Sequence, residues 1–180
     1  VTTAPYNITL NGNWTNNGGT AGFNARTGTV SLATNSTAVI TGTTNFYGFN
    51  VTSIGAAKTI QFQAGVVFGF TGPANSVVVT GAGGQLVTIT STSTAVWLAD
   101  FTNTQNTLTY VNLQHSGCST SAVVTMDATS TNDATSTIND SACWNFGLIV
   151  SGTIYSDDGS TVFPCNTTNL PIKVALGSTL

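Results

Sequence analysis

Short apolar runs, separated by Gly, Asn and Ser roughly every 8–12 residues, constrain this chain more than any other feature. Within them apolar and small polar residues alternate, as in Thr59-Ile60-Gln61-Phe62-Gln63, the period of a strand with one buried face. No window of about 12 residues carries an apolar period of about 3.6, so long amphipathic helices are excluded. The runs predict strands over 6–10, 28–33, 38–41, 46–52, 59–63, 66–70, 77–80, 86–90, 96–98, 108–113, 123–126 and 137–138. Turn signals fall between them at Asn17-Gly18-Gly19, Thr71-Gly72-Pro73 and Gly81-Ala82-Gly83-Gly84.

Regular short strands fit a sandwich, a barrel or a parallel solenoid. Composition favours the solenoid. Thr occurs 35 times and Glu not at all. Stacked coils place equivalent positions above one another, so inward Val, Ile and Phe form ladders while Thr, Ser, Asn and Gly take the outside and the corners. With three strands per turn, a coil uses roughly 20–30 residues and the chain makes about five coils. The expected fold is all-β, a parallel β-helix, with an antiparallel β-sandwich as the alternative.

After Trp144-Asn145-Phe146-Gly147 the pattern changes. Residues 148–155 read as a new strand, Pro164, Cys165 and Pro171 interrupt the stretch beyond it, and Ile172, Lys173, Val174, Ala175 and Leu176 read as another. Two strands without a sheet are marginal alone. The expected organisation is a solenoid domain over 1–147 and a C-terminal strand extension over 148–180. That extension would pack on the solenoid, open a next module, or pair with another molecule.

Charge excludes several partners. Charged residues make up 5% of the chain, against roughly 25% in average soluble proteins. The only bases are Arg26, Lys58 and Lys173, too few for a nucleic-acid footprint or a basic membrane-surface helix. No apolar run reaches the ~18 residues of a transmembrane helix, so membrane insertion is not expected. A weakly charged, Thr-rich surface points to an extracellular or cell-surface setting. The chain begins at Val1 with no signal peptide, which leads to the expectation of a processed or excised piece.

The three cysteines, Cys118, Cys143 and Cys165, have no metal-type spacing, and His115 is the only histidine, so no metal or cofactor is expected. Three single disulfides are open to them. Cys118–Cys143 is favoured, closing a loop of about 25 residues and contributing roughly 3 kcal/mol, against three buried thiols as the alternative. N-glycosylation sequons begin at Asn7, Asn13, Asn35, Asn50, Asn139 and Asn166.

The stretch Gly12-Asn13-Trp14-Thr15-Asn16-Asn17-Gly18-Gly19, the segments 23–30, 40–51 and 58–65, and the closing Asn139-Asp140-Ser141 through Trp144 carry a resemblance. Over roughly residues 10–160, the chain resembles the Thr/Asn/Gly-rich modules of very large bacterial cell-surface, adhesin-like proteins. The resemblance implies a right-handed parallel β-helix used as a surface scaffold, and it brings no catalytic residues. Cys143 near the closing motif and Cys165 in the tail depart from the pattern.

Catalytic constellations are weak. Asp127, Asp133 and Asp140 stand close enough in sequence for acid–base work at one loop edge, but Asp in an Asn/Ser/Thr-rich segment reads first as a turn former. Asp157-Asp158-Gly159 lacks the spaced oxygens of a calcium loop. His115 beside Ser116 lacks a nucleophile elbow and reads as a satisfied structural histidine. Of the tryptophans, Trp97 reads as core, while Trp14 reads as an end cap and is the best candidate for an exposed sugar platform. The expectation is a non-enzymatic structural or adhesive module, the subunit of a filament assembled head-to-tail by strand donation, with copies of itself or neighbouring modules as partners. A glycan-binding surface module is the alternative.

Overall fold

The computed structural model describes residues 6–33, 36–52, 55–119, 122–132 and 143–146. Contacts divide the chain into Val1–Leu148 and Ile149–Leu180, and all described residues belong to the first unit. The predicted strands over 137–138, 148–155 and 172–176 lie outside the described residues.

The first turn holds β1 (Ile8–Leu10), β2 (Trp14–Thr15) and the single helical turn α1 (Gly19–Gly22). Then come β3 (Thr29–Leu32), β4 (Thr37–Thr41) and β5 (Thr44–Phe46); β6 (Gly48–Thr52), β7 (Lys58–Phe62) and β8 (Val67–Phe70); and β9 (Val77–Thr80), β10 (Val87–Ser91) and β11 (Trp97–Phe101). The last strands are β12 (Gln105–Thr109), β13 (Val111–Leu113), β14 (Ser116–Cys118), β15 (Val124–Met126), β16 (Thr131–Asn132) and β17 (Trp144–Phe146). The chain visits three sheets in rotation. The first has the order β1-β3-β6-β9-β12-β15-β17, the second β16-β13-β10-β7-β4-β2, and the third β14-β11-β8-β5. In the first turn α1 stands where a strand of the third sheet would, and it contacts β5.

Every named strand pair is parallel, and the one isolated antiparallel bridge among the described residues is the turn contact Ala82–Gln85. This all-β, coil-on-coil arrangement fits a β-solenoid and leaves no place for the antiparallel sandwich. One coil takes from 18 residues (Leu108 to Met126) to 31 (Phe70 to Phe101).

In-register parallel stacking turns the alternating pattern into ladders. Leu10, Leu32, Val51, Val79, Leu108, Met126 and Phe146 are successive rungs on the first sheet. Phe46, Phe70 and Phe101 are rungs on the third, with ring centroids 5.9 and 4.8 Å apart in stacked geometry. Phe62 stacks on Trp97 at 4.3 Å, and Trp144 meets Phe101 edge-on at 5.6 Å. Burying these chains is the main favourable term, since each rung closes apolar area against the coils above and below.

Mostly neutral side chains tie the corners together. Asn16 Nδ2 donates to the Thr43 carbonyl at 2.8 Å, while Gln63 Oε1 accepts from Gly42 N at 2.8 Å and Thr92 Oγ1 from Ala64 N at 3.0 Å. Gln105, fully buried, accepts from Val77 N at 3.0 Å and donates to the Asn103 carbonyl at 3.0 Å. Unpaired buried amides would be costly, so these bonds give the Asn and Thr residues of a chain with few ions their place at the corners. Gly42 (φ 79°) passes so close to the Asn16 carbonyl of the preceding coil that a Cβ would overlap it.

Two of the expected strands are interrupted. The predicted strand 46–52 is broken at Tyr47 into β5 and β6, and 108–113 is broken at Tyr110, whose φ of 53° turns the chain between β12 and β13. A left-handed tyrosine gives no compositional warning of a corner. The short strands β2, β14, β16 and β17 carry no strand pattern of their own; they form because a neighbouring coil supplies the partner.

Candidate binding clefts beside the first coils

The segment linking α1 to β3 forms a wall between two clefts. Residues Phe23, Asn24, Ala25 and Arg26 line both. One cleft, about 320 Å³, continues over Thr20, Asn45 and Thr71; the other, about 310 Å³, continues over Tyr6, Ile8 and Gly28. The wall is held from below by aromatic packing, with Phe23 edge-on to Trp14 at 4.7 Å and beside Phe46 at 6.2 Å. It is shaped from above by a side-chain turn in which Asn24 Oδ1 accepts from Arg26 N at 3.1 Å, and by Gly28 N donating to the Ala25 carbonyl at 2.9 Å.

Arg26 is exposed in the left-handed region (φ 49°), and among the described residues no ion pair or hydrogen bond engages its guanidinium. Tyr6 is 74% exposed. Gly28 lies so close beneath the Tyr6 carbonyl that a Cβ there would overlap it, and Asn7 Oδ1 accepts from Thr29 N at 2.9 Å, pinning β1 to β3. Among the described residues, no carboxylate, imidazole or thiol lines either cleft. The linings bring one guanidinium, the Tyr6 ring in the second cleft, and neutral hydrogen-bonding groups.

The residues singled out from sequence fall elsewhere. Cys118 and Cys143 come to disulfide distance, with Cα atoms 6.2 Å apart. Asn7 and Asn13 are exposed, Asn13 Oδ1 accepting from Val39 N at 2.9 Å, and Asn50 is partly exposed on β6. Asn35, Asn139, Asn166, Cys165 and the segment Ile172, Lys173, Val174, Ala175 and Leu176 lie outside the described residues, as do Asp133, Asp140, Asp157 and Asp158.

Trp14 is a half-buried end cap rather than a platform, its Nε1 donating to Thr44 Oγ1 at 3.1 Å. His115 departs from the expected satisfied histidine: among the described residues its buried Nδ1 has no partner, and neither have the indole nitrogens of Trp97 and Trp144. Asp127 closes a turn, accepting from Ser130 Oγ at 3.0 Å, from Thr129 N at 3.2 Å and from the Thr129 hydroxyl. Burial pushes its pKa up, and the hydrogen bonds from Thr129, Ser130 and Tyr110 outweigh that and hold it below the ordinary value.

Lys58 is 2% exposed, its ammonium donating to the Leu32 carbonyl at 3.4 Å and to the Thr52 carbonyl. Desolvation lowers its pKa. No group of three His, Cys, Asp or Glu suited to a metal occurs among the described residues, and no helix there is long and apolar enough to cross a membrane. Comparisons with protein-family models, with curated proteins and with solved structures find no match for this chain.

Proposed function

We propose that this chain is a non-enzymatic structural or adhesive module of an extracellular surface protein, a right-handed parallel β-helix that serves as a filament subunit. One observation supports the reading: in-register side-chain ladders fill the described interior of the parallel stack, as a structural solenoid requires. The right-handed sense is part of this reading and is the one favoured for crossovers between parallel strands, right-handed in about 98% of cases. A rod of this kind ends in strand edges. Among the described residues β1 and β2 stand at one end of their sheets, and β17 and β16 at the other. Such edges take up a strand from another chain, and contacts of that kind repeated head-to-tail give filaments.

In this reading Ile172, Lys173, Val174, Ala175 and Leu176 supply the donated strand. The test is electron microscopy of the full chain beside a variant lacking residues 170–180. Fibres from the full chain, and folded monomers from the truncated one, are expected. A truncated protein that still polymerises normally refutes strand donation.

A second reading, a glycan-binding surface module, is favoured by the two clefts and by the exposed Tyr6, which lines one of them together with Arg26. A glycan array with the full chain tests it: saturable binding is expected, and no binding to any glycan sinks it.

A further inference from the structure

We infer that the two clefts sharing the wall at residues 23–26 form one site for a carboxylate-bearing saccharide, a uronic acid unit within a longer glycan. The inference rests on the glycan-binding reading and deepens it. Among the described residues every Phe and Trp is buried or partly buried, and Tyr6 is the one aromatic left largely in solvent. It lines the same cleft as Arg26, the only arginine of the chain. An aromatic face takes the C–H face of a pyranose ring, and a guanidinium takes a carboxylate through two parallel hydrogen bonds.

The rest of the lining fits sugar hydroxyls. Thr20, Asn24, Asn45 and Thr71 bring hydroxyl and amide groups that both donate and accept. Each cleft is at the lower end of the size of small-molecule sites, and two side by side suit neighbouring sugar units.

Electrostatics narrows the ligand. The chain carries a net charge of −3, so its overall field does not gather anions. Attraction must come from Arg26 itself, and it selects a ligand with one well-placed carboxylate. A polyphosphate or nucleic acid would need several cations. Among the described residues the acids are Asp100 on β11 and Asp127 beyond β15, while Arg26 stands before β3, and no ion pair joins it to either.

The test is calorimetric titration of the full chain with trigalacturonate and with its methyl ester, in wild type and in Arg26→Gly, Arg26→Lys and Tyr6→Ala. Glycine adopts the φ of Arg26 without strain, so Arg26→Gly is expected to keep the wild-type melting curve, and binding is read on a folded protein. Wild type is expected to bind trigalacturonate at least about tenfold more tightly than the ester. Arg26→Gly loses at least about tenfold, Arg26→Lys falls between, and Tyr6→Ala loses about fivefold.

No saturable binding of trigalacturonate, equal binding of the ester, or an unaffected Arg26→Gly overturns the inference. Neutral glycans that bind equally to wild type and Arg26→Gly on an array would leave the glycan reading standing while this site falls. If Arg26→Gly instead abolishes self-association in sedimentation and leaves saccharide binding unchanged, the clefts are a contact between copies and the inference is wrong.

Discussion

Phe70→Ala probes the ladder core directly. Phe70 is 2% exposed and lies between Phe46 and Phe101, at 5.9 and 4.8 Å, with Phe49 and Phe62 edge-on to it at 5.8 and 6.4 Å. Phe-to-Ala changes in cores cost about 3–5 kcal/mol, the spread depending on how far the site collapses. Collapse is hindered here. β5 and β11 are hydrogen-bonded to either side of β8, and parallel strands keep a spacing of about 4.8 Å whatever the side chains do. The expected loss is therefore at the upper end, about 4–5 kcal/mol. For a chain of this size that lowers the melting temperature by about 10–15 °C.

Phe23→Ala is the reference. It is half-buried at the first coil, with ring contacts among the described residues to Trp14 and Phe46, and should cost about 1–1.5 kcal/mol. Guanidinium melts followed by circular dichroism measure both. A Phe70→Ala loss below about 2 kcal/mol, or one no larger than that of Phe23→Ala, would show that the interior relaxes and that the stacking argument fails.

Gly42→Ala places a Cβ against the Asn16 carbonyl at a φ of 79°, and should cost about 2–4 kcal/mol in the same melts. Lys58 has a folded-state pKa below its ordinary 10.5. The folded chain therefore releases that proton before the unfolded one, and stability rises with pH between the lowered value and 10.5. Lys58→Met should remove this alkaline gain, and melts from pH 8 upward that keep the same slope would contradict it.

Asp127 is also held below its ordinary pKa, so its contribution is present above the unfolded pKa and fades as pH falls through the lower folded one. Asp127→Asn should flatten that acid limb in a pH series of thermal melts. Reducing the Cys118–Cys143 pair should cost about 3 kcal/mol, and non-reducing peptide mapping should recover the two cysteines in one linked peptide.

Much of the fold was legible because burial in a strand leaves a period-two trace. The runs around Ile60, Val79 and Ile89 sit in strands at or near the expected bounds. Corners were legible only where glycine marked them. Tyr110 and His115 adopt φ of 53° and 44° with no such mark. β14 and β16 are short and weakly apolar, and exist because β11 and β13 present a free edge. The clefts were hidden for a related reason. Arg26 stood out only as a scarce base and Tyr6 only as a strand start, and nothing in their spacing of twenty residues says that they flank one cleft.

Local chemistry in the sequence determined the alternation, the absence of long helices, the neutral surface and the supply of amides and hydroxyls for corners. These depend on each residue and its immediate neighbours. Tertiary structure alone decided which residues share a rung, which is why coils of 18 residues (Leu108 to Met126) and 29 (Val79 to Leu108) stack in one ladder. It also decided that Lys58 is sealed under two carbonyls and that Arg26 is left without an acid among the described residues. Register in a parallel stack is set by backbone pairing between coils, and loops of differing length are absorbed at the corners, so distance along the chain does not encode distance across it.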